Sequence, residues 1–157
     1  MKQKALAKLQ KDCCCSIVGV LESKLDDAKV RKLVDYVFPG WKHLDNFALH
    51  PNGRILLLWD PRLVEVALVD TTPQSLSGMV TNLTNQAIFW LTLVYGLYSV
   101  GDRRPLWNNL GRLSSVINGP WIVCGDFNAP LNAIDRVGIR PVTDYEMADF
   151  KECCLVN

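Results

Sequence analysis

The stretch Trp121-Ile122-Val123-Cys124-Gly125-Asp126-Phe127-Asn128 decides how the chain is read. Four apolar residues run into a glycine, after which a carboxylate and a carboxamide stand two positions apart. That is the pattern of a buried strand that stops at polar groups. If the backbone stays extended through Asn128, residues i and i+2 share a face, so Asp126 and Asn128 address one point while Phe127 points away. Pro120 sets the start of the strand, and Pro130 keeps Ala129 out of the helical region. A rigid strand then carries an acid and an amide at its C-terminal end, where open α/β sheets place ligands. The plainer alternative is a structural turn, since Asp and Asn after a strand are common turn formers.

Working outward, a second apolar run of strand length, 13–21, also ends on a carboxylate, Glu22. Residues 23–37 predict a helix, with Asp26 and Asp27 in its first turn and Val30, Leu33, Val34 and Val37 at three-and-four spacing. Phe38-Pro39-Gly40 closes it. Pro51-Asn52-Gly53 is a turn signal leading into a core strand over 54–60, and 63–69 alternates as a further strand. The polar 75–85 segment is a hairpin strand or a loop, and 86–95 is the most β-rich segment of all. Beyond a loop at 96–101, Asp102 can cap a helix in which Pro105 comes early and Leu106, Leu110, Leu113 and Ile117 form one face. Thr143 with Glu146 is a capping-box signature for a last helix carrying Met147, Phe150 and Cys154. Helices alternating with apolar strands give an α/β class, with antiparallel hairpins in the middle.

The 157 residues have the length of one domain, 1–157, and a globular composition of 49% hydrophobic and 21% charged residues. Lys+Arg 17 against Asp+Glu 16 leaves a net charge of +1, which excludes a global attraction to nucleic acid but not a local basic face. Residues 1–12 read as a lysine-bearing surface helix without the apolar core of a signal peptide. The longest apolar stretch, 87–95, is far below the roughly 20 residues that span a bilayer, so no membrane segment is expected. Six cysteines without a Cys-x-x-Cys pair support neither a zinc site nor a disulfide framework, and are expected to be small buried hydrophobes in a reducing compartment.

Two strands ending in Glu22 and Asp126, with Asn128 beside the second, offer hard oxygen donors that suit Mg²⁺, an ion commonly held by one or two carboxylates plus a substrate phosphate. Metal-assisted phosphodiester hydrolysis is the matching reaction class. The residues also carry a resemblance. Leu21-Glu22-Ser23-Lys24, Val94-Tyr95-Gly96, Asp102-Arg103-Arg104-Pro105-Leu106-Trp107, Gly119-Pro120-Trp121, Gly125-Asp126-Phe127-Asn128 and Asp135-Arg136 stand in the order found in the endonuclease/exonuclease/phosphatase superfamily. More narrowly, the sequence is similar to the endonuclease domain of plant LINE-type (non-LTR) retrotransposons, across essentially the whole chain.

That resemblance implies a two-sheet α/β sandwich of the DNase I-like type and a phosphodiesterase site served by Mg²⁺, with Mn²⁺ as the alternative. DNA would be the partner, in the nucleus or cytoplasm. It implies Glu22 as metal ligand, Asp126 as the group that orients or deprotonates the attacking water, Asn128 as a residue holding the site and the phosphate, and Tyr95 as a phosphate contact. On the residues alone, Glu22 equally opens a helix and Tyr95 equally serves as an interface aromatic.

Such domains begin with an asparagine-bearing strand of the type tryptophan-asparagine-x-arginine-glycine and end with a serine-aspartate-histidine motif. Neither pattern occurs here, His43 and His50 match no such motif, and Tyr98 stands where many relatives carry asparagine or histidine. The expectation is therefore an incomplete domain, weak or inactive as a nuclease. The alternative is a non-catalytic retrotransposon remnant that at most binds metal, nucleic acid or a partner. The Cys15–Leu21 and Trp121–Gly125 segments, two apolar strands that both end in acids, are expected to be neighbouring strands that bring Glu22 and Asp126 to one rim.

Overall fold

The structure is a computed structural model describing residues 6, 8, 12–23, 25–49, 55–136 and 140–156. The Pro51-Asn52-Gly53 turn, His50 and most of the N-terminal helix lie outside the described residues; Leu6, Lys8, Asp12 and Cys13 within it are helical. Two sheets stack face to face, with helices on both outer faces. The three-stranded sheet has the order β1 (Ile17–Leu21), β3 (Ile55–Trp59), β2 (Lys42–Asp45), all antiparallel. The four-stranded sheet runs β4 (Val64–Thr71), β5 (Ser75–Asn82), β6 (Ile88–Tyr95), β7 (Trp121–Asp126), with only β6 and β7 parallel.

Strand alternation sorts the core into three clusters. Ile55, Leu57, Trp59, Val64, Val66, Leu76, Val80, Leu91, Leu93 and Tyr95, with Ile17 and Leu21, fill the space between the sheets. Val18, Leu56 and Leu58 point the other way, onto α1 (Asp27–Val37) through Val30 and Leu33 and onto Phe38 and Trp41. Val94, with Trp121 and Val123, packs under α2 (Val100–Ser114) through Leu106, Trp107 and Leu110, and Phe150 and Cys153 of α3 (Asp144–Val156) join them. Trp107, Phe127 and Phe150 stack on one another with ring centroids 4.7–6.1 Å apart.

Several elements differ from the sequence expectation, each for a local reason. The first strand begins at Ile17 because the helix runs on through Cys13, and Cys14 adopts a positive φ of 48° before it. Helix α1 begins at Asp27, with Asp26 as the cap whose carboxylate accepts from the Lys29 N–H. Helix α2 is capped by Ser99 instead of Asp102, whose N–H donates to the Ser99 hydroxyl. The polar 75–85 segment, by contrast, takes the expected hairpin-strand alternative as β5: its Ser77 hydroxyl is buried and bonded to Thr92, which in turn accepts from the Trp121 indole. A strand can bury hydroxyls when they satisfy one another.

Strand β7 is an edge strand with Ile122, Cys124, Gly125 and Asp126 exposed, not a buried one, and it pairs with β6 and not with β1. The expected β1–β7 pairing is therefore wrong, because the two strands belong to different sheets. Cys13, Cys14, Cys124 and Cys154 are exposed instead of buried as expected. Among the described residues no helix is long and apolar enough to cross a membrane.

The sheets are fixed end to end by Asn46, 2% exposed just after β2. Its Oδ1 accepts from the Ile55 N–H, while its Nδ2 donates to the carbonyls of Thr72 and Pro73 in the β4–β5 turn. That turn leads to Ser75, which pairs with Val94, and the next residue, Tyr95, pairs with Asp126. Leu21 pairs with Ile55. The end of β1 and the ends of β6 and β7 thus lie at one rim, although their strands never touch by hydrogen bonds. Replacing Asn46 by alanine leaves the Ile55 N–H buried without a partner and strips the part-buried Thr72 and Pro73 carbonyls of their donor. The expected cost is about 3 kcal/mol, read as a lower urea midpoint with unchanged slope; a change below about 0.5 kcal/mol, the scale of an ordinary surface substitution, would contradict this account.

Candidate active site

At this rim the backbones of β6 and β7 come into direct contact. A Cβ on Gly125, whose φ is +143°, would lie 2.1 Å from the Val94 carbonyl oxygen, and one on Gly96 would lie 2.2 Å from that of Phe127. Only glycine fits either place. The contact is hydrogen-bonded as well: the Gly96 N–H donates to the Asp126 carbonyl at 2.8 Å, and the Asn128 amide donates to the Gly96 carbonyl at 2.7 Å.

Asn128 does not continue the strand. It takes a left-handed φ of 49°, its N–H donates to Asp126 Oδ1 at 2.9 Å, and its side chain is committed to Gly96. The two residues are brought together by a tight Asx turn and not by the i, i+2 alternation of an extended strand. The turn leaves the second Asp126 oxygen, Oδ2, outside this bond. Asp126 pairs with Tyr95, and partners in a ladder share a face; Tyr95 faces the other sheet, so Asp126 emerges on the side where β1 ends. Glu22, at the end of β1, is exposed and holds a positive φ of 49°. Each sheet thus contributes one exposed carboxylate to the rim.

Tyr95 is 3% exposed and belongs to the core between the sheets, with its hydroxyl 3.2 Å from that of Tyr98. Tyr98 is 68% exposed. The loop carrying it is held from beneath: buried Arg103 donates from Nη1 to the carbonyls of Leu97 and Tyr98, and Gln74 accepts from the Leu97 N–H. Burial pushes the Arg103 guanidinium below its ordinary pKa, with nearby Asp149 acting in the opposite sense.

A depression of about 530 Å³ is lined by Asp126 and Asn128 together with Tyr98, Asp135 and Arg136. Asp135 Oδ2 accepts from the N–H groups of Leu131 and Asn132, which folds the loop. Arg136 donates to Glu146 Oε1 at 2.9 Å, as does Arg140. Glu146 also accepts from the Thr143 N–H and hydroxyl, so only the glutamate half of the expected Thr143–Glu146 capping box forms, the Glu146 N–H bonding the Thr143 carbonyl instead of its hydroxyl, and the same carboxylate anchors Arg136. His43 is exposed on β2, away from this group of residues in the chain's hydrogen-bond pattern. Sequence reasoning singled out Tyr98 only as a departure and passed over Asn46 and Gln74, because single buried amides carry no periodic signal.

A chain with these two sheets, this helix arrangement and this rim is an α/β sandwich of the DNase I-like type. It belongs to the endonuclease/exonuclease/phosphatase family, whose profile matches residues 3–146. No curated protein sequence matches it. Among solved structures it is similar to an endonuclease/exonuclease/phosphatase from Bacteroides vulgatus, at 16% identity and TM-score 0.66 over 99% of this chain and 62% of that one. It is similar also to a mannosyl-6-phosphatase of Bacteroides thetaiotaomicron, at 12% identity and TM-score 0.64 over 81% of this chain and 56% of that one. A third is ANGEL2, a 2′,3′-cyclic phosphatase in complex with adenosine-2′,3′-vanadate, at 16% identity and TM-score 0.59 over 82% and 44%. The chain therefore spans less than two thirds of the length of each.

The Thr143 N–H, followed by Arg136 and the Thr143 hydroxyl, holds the Glu146 carboxyl at about 2, well below its ordinary value of 4.5. A depressed carboxylate stabilises the fold fully above its unfolded pKa, and this contribution fades as pH falls toward the folded value. Unfolding followed by circular dichroism should show wild-type stability declining between pH 4.5 and about 2 more steeply than that of Glu146→Gln. Parallel profiles would refute this role.

Proposed function

We propose that the chain is a divalent-metal-dependent phosphodiesterase domain acting on DNA, of the LINE-type retrotransposon kind found in plants and working in the nucleus or cytoplasm. What supports the reading is that β1 and β7, one in each sheet, run out at the same rim, the first just before Glu22 and the second at Asp126, which pairs with Tyr95. The run of motifs from Leu21-Glu22 to Asp135-Arg136 supports the retrotransposon origin. Two of the fold neighbours are phosphatases by description, one a mannosyl-6-phosphatase and one a 2′,3′-cyclic phosphatase, which is in keeping with phosphoester chemistry.

The donor set fits a small hard cation, Mg²⁺ or Mn²⁺, since both groups are exposed carboxylates. Among the described residues no cluster of three or more His, Cys, Asp or Glu exists, so water and substrate oxygens must complete the coordination shell. When bound, the ion neutralises charge developing on the phosphate. Glu22 holds it. Asp126, with Oδ1 fixed by the Asn128 N–H, keeps Oδ2 to orient the attacking water and take its proton. Asn128 acts by locking the turn onto Gly96, and the Tyr95 hydroxyl, at the edge of the core, donates to a phosphate oxygen. Arg136 adds the positive charge of the depression.

The competing reading, a non-catalytic remnant that binds without cleaving, is favoured by the small number of protein oxygens at the rim. Plasmid nicking in Mg²⁺ separates the two. The phosphodiesterase reading expects nicking that EDTA stops and that Asp126→Ala slows by about 10²–10³; nicking unaffected by Asp126→Ala, or none from a folded chain with ion bound, favours the remnant. By calorimetry, Glu22→Gln should weaken Mg²⁺ or Mn²⁺ binding on the order of tenfold or more, since removing one carboxylate from so sparse a shell removes much of its charge. Equal binding by both forms would put the ion elsewhere.

A further inference from the structure

Tyr98 is an exposed aromatic residue on a rigid mount. Its backbone carbonyl is gripped by buried Arg103, its neighbour Leu97 is tied to buried Gln74, and its hydroxyl lies 3.2 Å from that of the core residue Tyr95. A ring anchored at both ends and still 68% exposed offers its face to solvent, and it does so in the wall of the depression that contains Asp126. The same depression is also lined by the charged Asp135 and Arg136. The ring stacks on no other aromatic side chain among the described residues, the stacked group being Trp107, Phe127 and Phe150 beneath β7.

We propose that Tyr98 is a stacking platform for one nucleobase next to the scissile phosphate, so that the site selects an unstacked base in single-stranded or locally opened nucleic acid over a base-free phosphodiester. The proposal rests on the phosphodiester reading of the Asp126 site and adds to it the feature that selects the substrate. The physical reason is that an aromatic face fixed in advance loses little conformational freedom on binding, and every base presents a π-face to it. The lining of the depression fits: it brings together the Tyr98 ring, able to meet a base, and the Asp126 carboxylate of the proposed phosphodiester site. A base-free phosphodiester presents no π-face to the ring.

The test compares fluorescence-anisotropy binding of two labelled single-stranded oligomers of equal length in Ca²⁺, one of thymidines and one in which tetrahydrofuran residues replace every nucleoside. Tyr98→Ala should weaken binding of the thymidine oligomer on the order of tenfold, the lower part of the range for one base–aromatic stack, and leave the base-free oligomer unchanged. Tyr98→Trp should restore the preference, which a loss of folding could not. Equal effects of Tyr98→Ala on both oligomers, or no effect on either, would overturn the proposal. Hydrolysis of the thymidine oligomer in Mg²⁺ by wild type and Asp126→Ala distinguishes the two levels. If Asp126→Ala cleaves like wild type, the catalytic reading fails whatever Tyr98 does; if it is inactive and Tyr98→Ala does not discriminate, only the platform fails.

Discussion

Everything at the rim depends on a backbone contact too close for any side chain. Where β6 passes into its loop and β7 into its turn, Gly125 lies against the Val94 carbonyl and Gly96 against that of Phe127. Two hydrogen bonds close the contact, one from Gly96 to the Asp126 carbonyl and one from the Asn128 amide to Gly96. This single constraint sets the direction of the Asp126 carboxylate, ends β7, and starts the loop that carries Tyr98. It also explains why a glycine precedes the acid and another follows the tyrosine: a methyl group in either place would push the strands apart before any chemistry could be arranged.

A second constraint links the two sheets. The carboxylates come from different sheets, so their separation is governed by how the sheets dock and not by any ladder. Docking is set by the apolar layer between the sheets and by Asn46, which bridges the Ile55 end of the three-stranded sheet to the β4–β5 turn of the other. Buried amides with every group satisfied contribute little net energy but define one arrangement sharply, because other arrangements leave them unpaired. Changes far from the rim that alter sheet packing would thereby act on the site. Arg136 is governed in the same indirect way: the cap of α3 fixes Glu146, and Glu146 fixes the arginine.

Much of this was legible in the sequence. Alternation and apolar runs gave the strands ending at Glu22 and Asp126, and three-and-four spacing gave the helices, since burial imposes those periods directly. What stayed illegible has no period. Ser99 caps α2 where Asp102 looked equally able, because both residues cap and only the incoming loop decides. Asn128 looked extended but turns, since left-handed asparagine is compatible with either context. β7 looked buried from its composition, while its exposure depends on which strands lie beside it, a property of topology and not of the strand. For the same reason β1 and β7 looked like neighbours: both are apolar strands ending in acids, and nothing local assigns them to separate sheets.

The central claim is that Glu22 and Asp126, one from each sheet, serve a single divalent ion. Paramagnetic broadening of backbone amide signals during titration with Mn²⁺ tests it most directly, because broadening falls off steeply with distance from the ion and needs no turnover. The account predicts that signals from residues 21–23 and from residues 95–98 and 125–128 broaden together, at the same Mn²⁺ concentration. Broadening confined to one of the two sheets, or centred on other carboxylates, would contradict it.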